Sequence, residues 1–201
     1  MTKNGAGREQ TLMKHPASRE LYAYWQELRG HRPAPERNEI EPGAIRQILS
    51  EAFILALDRA DYPFRLAGTR LCGLFARELK GQSFIGLWDE PSRRAILDLL
   101  AVLTDEWVGT VAGVTAHNAS GELVELELLL LPLSSSRPCL ARTIGVLAPL
   151  KMPQWIGVSP IGGLSLGSRR HVGAAVEKRL LPKFLSPRNR RGFVVYDGGQ
   201  S

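Results

Sequence analysis

The sequence predicts an α+β fold, a five-stranded antiparallel sheet with helices on one face, and three observations predict it. Two short apolar runs, 52–58 and 62–67, are joined by polar turn residues and indicate a β-hairpin. Three further apolar runs, 110–117, 122–133 and 139–149, are separated by turn residues and indicate a second antiparallel set. Between the two sets, apolar residues recur at helical spacing, so helices connect the hairpin to the last three strands.

Ahead of the hairpin, the sequence pattern divides into a polar segment, a predicted helix and a proline-rich linker. Residues 1–16 are polar and unpatterned, so we expect them to be disordered. From Ser18, a potential N-cap, apolar residues recur at helical spacing as far as a glycine, which predicts an amphipathic helix. The proline-rich segment 31–36 predicts an extended linker, and Pro42 predicts the start of a short helix. These elements form a flanking region over residues 17–50.

Two helices are predicted between the two sets of strands. The first follows the hairpin, has one apolar face and ends at Gly81. The second begins at Asp89, where acidic groups and a proline favour a helix start, and its apolar stripe continues to Gly109. In the last set of strands, the middle one is apolar on both faces over much of its length, as is typical of a central strand. The predicted core is therefore 51–151, followed by a Gly- and Pro-containing basic tail, 152–201.

The positive charge is concentrated in that tail. The formal net charge is +6, and after Ser168 eight cationic residues stand against two acidic ones. Such a tail can contact acidic proteins, anionic lipid or nucleic acid, or it can simply keep the protein soluble. Valines and a leucine at four-residue spacing also predict a short basic amphipathic helix over 172–180. The tail residues assigned as candidate contacts are Arg169, Arg170, Lys178, Arg179, Arg188, Arg190 and Arg191.

The cysteine pattern and the absence of a recognisable targeting segment predict a cytoplasmic protein. Cys72 and Cys139 lie far apart in apolar runs, and the first residues lack the apolar stretch of a secretion signal. No apolar run is long enough to cross a bilayer as a helix. Because no Cys, His or carboxylate residues show ligand-like spacing, no metal site is predicted.

Several short motifs resemble one known family when they are taken in order. They are Tyr24-Trp25, Leu28-Arg29-Gly30, Phe53-Ile54-Leu55, Phe64 to Thr69 and Glu78 to Gly81. Together they resemble the alphaproteobacterial single-PAS family, PAS_5, over about residues 18 to 150. The resemblance implies a PAS fold and a bacterial signalling role as a stand-alone sensor or adaptor, without supplying a ligand.

The resemblance also bears on cofactors. A photoactive flavin sensor of this fold requires an Asn-Cys-Arg-Phe-type motif, whereas Cys72 lies in Leu-Cys-Gly-Leu-Phe. A haem sensor requires an axial histidine projecting from the long helix or its neighbours, and residues 92–108 contain no histidine. The sequence therefore predicts no cofactor and disfavours both haem and photoactive flavin.

Two candidate sites follow. In a PAS fold, seven residues would converge between the sheet and the helices, where they either line a pocket for an apolar ligand or simply fill the core, as aromatic stripes usually do. They are Phe64, Leu66, Leu71, Phe75, Ile96, Leu100 and Trp107. The stripe of the N-terminal helix contacts either a dimer partner or the chain's own sheet. It comprises Leu21, Tyr24, Trp25 and Leu28.

The sequence thus predicts a non-catalytic cytosolic regulatory protein that forms a homodimer, modulates a signalling partner and is gated by a small apolar ligand. An enzyme or small-molecule-binding protein that uses the same cavity is one alternative. An adaptor that binds membrane or nucleic acid through the basic tail is another. No catalytic residue is assigned, because nothing marks a buried carboxylate or an adjacent nucleophile and base.

Overall fold

The sheet forms the middle layer of the molecule. The computed structural model describes residues 12–57, 61–135 and 142–173. Its strands are β1 (Ala52–Ala56), β2 (Phe64–Ala67), β3 (Gly109–Asn118), β4 (Leu123–Leu133), β5 (Arg142–Pro149) and β6 (Ile161–Val172). Within these described ranges they pair as one antiparallel sheet of six strands in the order β2-β1-β5-β4-β3-β6. The central position predicted for β4 is therefore confirmed.

Helices cover both faces of this sheet. They are α1 (Pro16–Arg29), α2 (Thr69–Leu74) and α3 (Glu90–Glu106), and short 3-10 helices lie at Arg37–Glu39, Pro42–Ile45 and Ile85–Leu87. One face packs against α2, α3 and the chain between them, and this inner cluster is rich in leucine and aromatic residues. The other face packs against α1 and residues 34–49, which form the outer cluster. The fold is therefore three-layered around two apolar clusters.

The sixth strand was not predicted. β6 lies in the segment that the sequence analysis placed at the start of the basic tail, and it pairs with β3 over most of its length. Arg169 and Arg170 are exposed residues of this strand. The other cationic tail residues and the helix predicted over 172–180 lie wholly or mostly outside the described residues, as does Cys139.

The first half of the β6 edge is covered by the start of α3. The backbone N–H of Asp89 donates to the carbonyl of Leu164 at 2.9 Å, and the N–H of Leu166 donates to Ser92 Oγ at 2.8 Å. The Ser165 hydroxyl donates to the Asp89 carboxylate, which also caps α3 by accepting from the Ser92 N–H at 3.0 Å. These bonds satisfy edge groups that would otherwise face solvent.

Residues just ahead of α1 also pack on the sheet. Met13 is buried in the outer cluster, and the backbone N–H groups of Lys14 and His15 donate to the Glu127 carboxylate at 2.6 and 2.9 Å. His15, rather than Ser18, is the N-cap of α1, because Pro16 occupies the first helical turn. Ser18 lies within the helix and is buried. Residues 1–11 lie outside the described residues.

Candidate ligand-binding cleft

Five of the seven predicted pocket residues lie together, but they fill the inner cluster. Phe64, Leu71, Ile96 and Leu100 are at most 1 % exposed, and Phe75 is 6 % exposed. They share this cluster with a second group of aromatic side chains that the sequence analysis did not assign. Their burial agrees with the core interpretation that the sequence left open beside the pocket.

The aromatic group packs ring against ring. Phe53, Phe64, Phe84 and Trp88 form edge and stacked pairs with centroids 5.7–5.8 Å apart. Contacts of this length are the favoured separations for aromatic pairs, so the rings stabilise one another beyond the area that they bury. A planar cofactor could enter this part of the interior only by displacing them.

The other two predicted pocket residues lie elsewhere, each for a local backbone reason. Ile54 pairs with Leu66 and Leu55 pairs with Phe64, so Arg65 is the extra residue of a β-bulge. The bulge moves Leu66 off the face of Phe64, and Leu66 is 38 % exposed. Trp107 follows the last turn of α3 in the left-handed conformation, with φ 57°, and is 37 % exposed. Leu66 and Trp107 therefore lie apart from the other five predicted pocket residues.

The stripe of α1 packs on the chain's own sheet, which is the second of its two predicted contacts. Leu21 and Trp25 are fully buried in the outer cluster, and Trp25 Nε1 donates to the carbonyl of Pro132 at 2.8 Å. Tyr24 and Leu28 are half-buried against the same cluster. In this arrangement Leu21 and Trp25 present no surface to a second protein.

A cleft that the sequence analysis did not predict opens at the rim of the inner cluster. Its volume is about 260 Å³. The walls come from the chain around β1 and α2, from the end of β5, and from the segment that follows β5. The lining residues are Glu51, Arg70, Gly73, Leu74, Leu147, Pro149, Met152, Ile156 and Gly157. Most of the wall is apolar, with a single acidic and a single basic residue.

The polar part of the cleft is an ion pair between Glu51 and Arg70. Arg70 Nη1 donates to Glu51 Oε1 at 3.0 Å. The Glu51 side chain is only 10 % exposed, whereas that of Arg70 is 65 % exposed. The carboxylate is therefore part of the wall, and the guanidinium reaches over it from the solvent side.

Gly68 allows the segments that carry Glu51 and Arg70 to lie close together. A Cβ at Gly68 would lie 2.2 Å from the carbonyl oxygen of Leu49, so only glycine permits this approach of the two backbones. The crossing is held by Gly68 N–H donating to Ala52 O at 2.9 Å and Leu71 N–H donating to Ser50 O at 3.0 Å. A glycine between a strand and a helix was the signal that the sequence offered for this crossing.

The geometry described so far can be set against known proteins. A family model for the PAS domain, PAS_5, matches residues 13–148. The chain belongs to the PAS_5 family. The resemblance seen in the sequence is thereby confirmed, and this PAS domain carries its sixth strand beyond the matched range.

Solved structures similar to this PAS domain include light-oxygen-voltage (LOV) domains. The dark structure of the blue-light photoreceptor Aureochrome1 LOV is 16 % identical with a TM-score of 0.42, covering 54 % of this chain and 81 % of that one. An RNA-binding LOV receptor is 16 % identical with a TM-score of 0.43, covering 58 % and 35 %. The Rhodobacter sphaeroides LOV protein is 14 % identical with a TM-score of 0.41, covering 57 % and 71 %. A search of curated proteins returned no match.

Cys72 is held in a local contact. Cys72 Sγ lies 3.5 Å from Glu78 Oε1, and burial raises the pKa of the Cys72 thiol. Among the described residues, no group of three or more His, Cys, Asp or Glu side chains is placed to hold a metal ion. Over the same ranges no helix is both long and apolar enough to cross a membrane.

Proposed function

We propose that this chain is a non-catalytic cytosolic PAS regulatory protein that responds to a small, mostly apolar ligand and acts through contacts with a signalling partner and a second copy of itself. The segment 152–158 supports this function most directly. Met152, Ile156 and Gly157 line the cleft, while Met152 and Val158 are 59 % and 87 % exposed. One short segment therefore borders both the ligand space and an apolar surface suited to a partner.

This shared segment gives a simple physical route for gating. A ligand in the cleft would contact Ile156 and fix the segment, because burying apolar ligand surface favours one arrangement of the wall. Fixing the segment would also fix the exposed side chain of Val158. The ligand can shift the assembly equilibrium only to the extent that it binds the two arrangements with different affinity.

The filled interior supports a small ligand over a bulky cofactor. The ring contacts among Phe53, Phe64, Phe84 and Trp88 leave the space between sheet and helices to side chains. A cleft of about 260 Å³ is slightly below the usual range for drug-sized ligands. A binding role without haem or flavin follows as part of the proposal.

A non-catalytic role is supported by the pairing of the groups in the cleft. Glu51 is bonded to Arg70, so its carboxylate is already paired rather than free to act as a base. Serine, histidine and cysteine do not line the cleft, which is built from described residues alone. The wall can hold and orient a molecule, and the proposal assigns it no chemical step.

Native mass spectrometry of the full chain tests the proposal. We expect a dimer that carries a non-covalently retained small molecule, absent from the denatured spectrum. Gly73→Leu should remove the added mass, because a side chain at Gly73 meets open space in the cleft wall. Val158→Asp should weaken the dimer by about tenfold or more, as loss of an interface anchor does.

Leu123→Asp is the matched control for the dimer, since Leu123 is also exposed, at 58 %, but does not line the cleft. A monomer at all protein concentrations would refute the homodimer. Retention of the small molecule by Gly73→Leu would refute the cleft as the ligand site.

A further inference from the structure

We propose that the cleft selects a ligand with an uncharged carboxamide head and a short aliphatic tail. This inference rests on the proposed ligand-gated function and deepens it by naming the chemistry of the ligand. Three features of the cleft support it: the size, the apolar wall and the Glu51–Arg70 pair.

The apolar wall fixes the tail. Leu74, Leu147, Pro149, Met152 and Ile156 supply aliphatic and thioether surface, and no ring of an aromatic side chain lines the cleft as described. Such a wall gives non-directional contacts to a flexible hydrocarbon chain and gives no stacking partner to a planar ring system. The wall therefore favours an aliphatic tail.

The volume of the cleft sets the length of the ligand. A cavity of 150 Å³ holds benzene, with its six carbon atoms, so by proportion 260 Å³ holds about ten non-hydrogen atoms. An eight-carbon amide has that size. A shorter chain would leave part of the wall without contacts, and a much longer chain would extend into solvent.

The ion pair fixes the head. Glu51 and Arg70 together carry no net charge, so the attraction of either partner for a charged ligand is largely cancelled by the repulsion from the other. An ionised carboxylate accepts at about four lone-pair directions, and a guanidinium has five N–H donors. Because the observed contact joins Nη1 to Oε1, both partners keep hydrogen-bonding capacity for a ligand.

A carboxamide matches both partners at once. Its NH₂ group can donate to the Glu51 carboxylate while its carbonyl oxygen accepts from the Arg70 guanidinium. Hydrogen bonds to charged groups are stronger than bonds between neutral groups. A carboxylate head would lack the donor for Glu51, and an ammonium head would lack the acceptor for Arg70, so each could make only one of the two bonds.

The test compares three ligands that share an eight-carbon chain and differ only in the head. Octanamide, octanoate and octylammonium are titrated into the full chain at neutral pH by isothermal titration calorimetry. We expect octanamide to bind at least tenfold more tightly than either charged ligand. Glu51→Gln should shift the preference toward octanoate, and Arg70→Gln should shift it toward octylammonium, because each variant leaves one charge in the cleft.

Glu125→Gln is the control for the acidic variant, since Glu125 is exposed on β4 and does not line the cleft. Glu51 is mostly buried, so Glu51→Gln can lower the stability of the fold. Arg70 is largely exposed, so Arg70→Gln tests the same ion pair without that effect. Gly73→Leu should abolish binding of all three ligands.

Tighter binding of octanoate or octylammonium by the unchanged chain would overturn the assignment of the head. Head-group preferences that do not respond to Glu51→Gln or Arg70→Gln would overturn it as well. A chain that retains another small molecule and dimerises, yet binds none of the three probes, would refute this inference while leaving the regulatory function in place.

Discussion

The carboxylate of Glu127 binds the start of the N-terminal layer to β4, and its removal gives the sharpest stability prediction. Glu127 is 4 % exposed on β4 and accepts the backbone N–H groups of Lys14 and His15 at 2.6 and 2.9 Å. In Glu127→Gln, the amide oxygen can keep one of these bonds. The amide nitrogen is a donor and would face the other backbone donor.

The expected loss of stability follows from the number of hydrogen bonds that Glu127 accepts. Hydrogen bonds to charged groups contribute about 1.5–3 kcal/mol each, and a buried donor left without a partner adds its own desolvation cost. We expect Glu127→Gln to lower the free energy of unfolding by about 2–4 kcal/mol. For a chain of this size, that corresponds to a fall in Tm of roughly 4–16 °C.

Urea unfolding followed by far-UV circular dichroism measures the loss, and hydrogen exchange locates it. The amides of Lys14 and His15 should exchange faster in the variant, while those of β5 should change only in proportion to global stability. Glu125→Gln is the control, because it makes the same substitution two residues away at an exposed position of the same strand. Equal stability of the two variants, within about 0.5 kcal/mol, would show that Glu127 does not hold the layer.

Three further predictions concern other parts of the fold. The Ser165 hydroxyl and Ser92 hold the pKa of Asp89 below its ordinary value, so Asp89 stabilises the fold above the unfolded pKa of about 3.9 and loses this contribution as pH falls through its folded pKa. Urea midpoints at pH 6 and pH 3 should therefore differ less in Asp89→Asn than in the unchanged chain. A Cβ at Gly145 would lie 2.4 Å from Leu129 O, so Gly145→Ala should cost about 3 kcal/mol, whereas Gly113→Ala, with 3.6 Å to its nearest atom, should be near neutral in the same urea assay. Trp25→Phe removes the bond to Pro132 O and should cost about 1–3 kcal/mol, and an unchanged thermal midpoint would contradict the described docking of α1.

The strands and helices of the core were predictable because buried apolar residues recur in the sequence at the period of the element that contains them. The stripe of α3 and the doubly apolar run of β4 are direct consequences of their packing against the inner cluster and between two layers. Local irregularities of the backbone do not produce such a pattern. The bulge at Arg65 reverses the alternation that placed Leu66 beside Phe64, and nothing in the side-chain pattern marks a one-residue insertion.

β6 was missed for a different reason. It is an edge strand that pairs through its backbone with β3, and exposed residues and glycines occupy much of its length. Its buried residues, Ile161, Leu164 and Val172, are too few to produce the alternation that identifies a half-buried strand. The Glu51–Arg70 cleft escaped prediction because the pair depends on the crossing at Gly68, which is a tertiary contact.

The attachment of α1 to strands made much later has a consequence for the newly synthesised chain. Trp25 donates to Pro132, 107 residues further on, so the side of α1 that packs on the sheet lacks these contacts until β4 has left the ribosome. At synthesis rates of about 5–20 residues per second, that interval is roughly 5–20 s. During this time an amphipathic helix is exposed beside an unfinished sheet, the kind of surface that chaperones recognise. The length of this exposure is set by the rate of synthesis and by the 107 residues between the two partners, independently of how stable the protein is once folded.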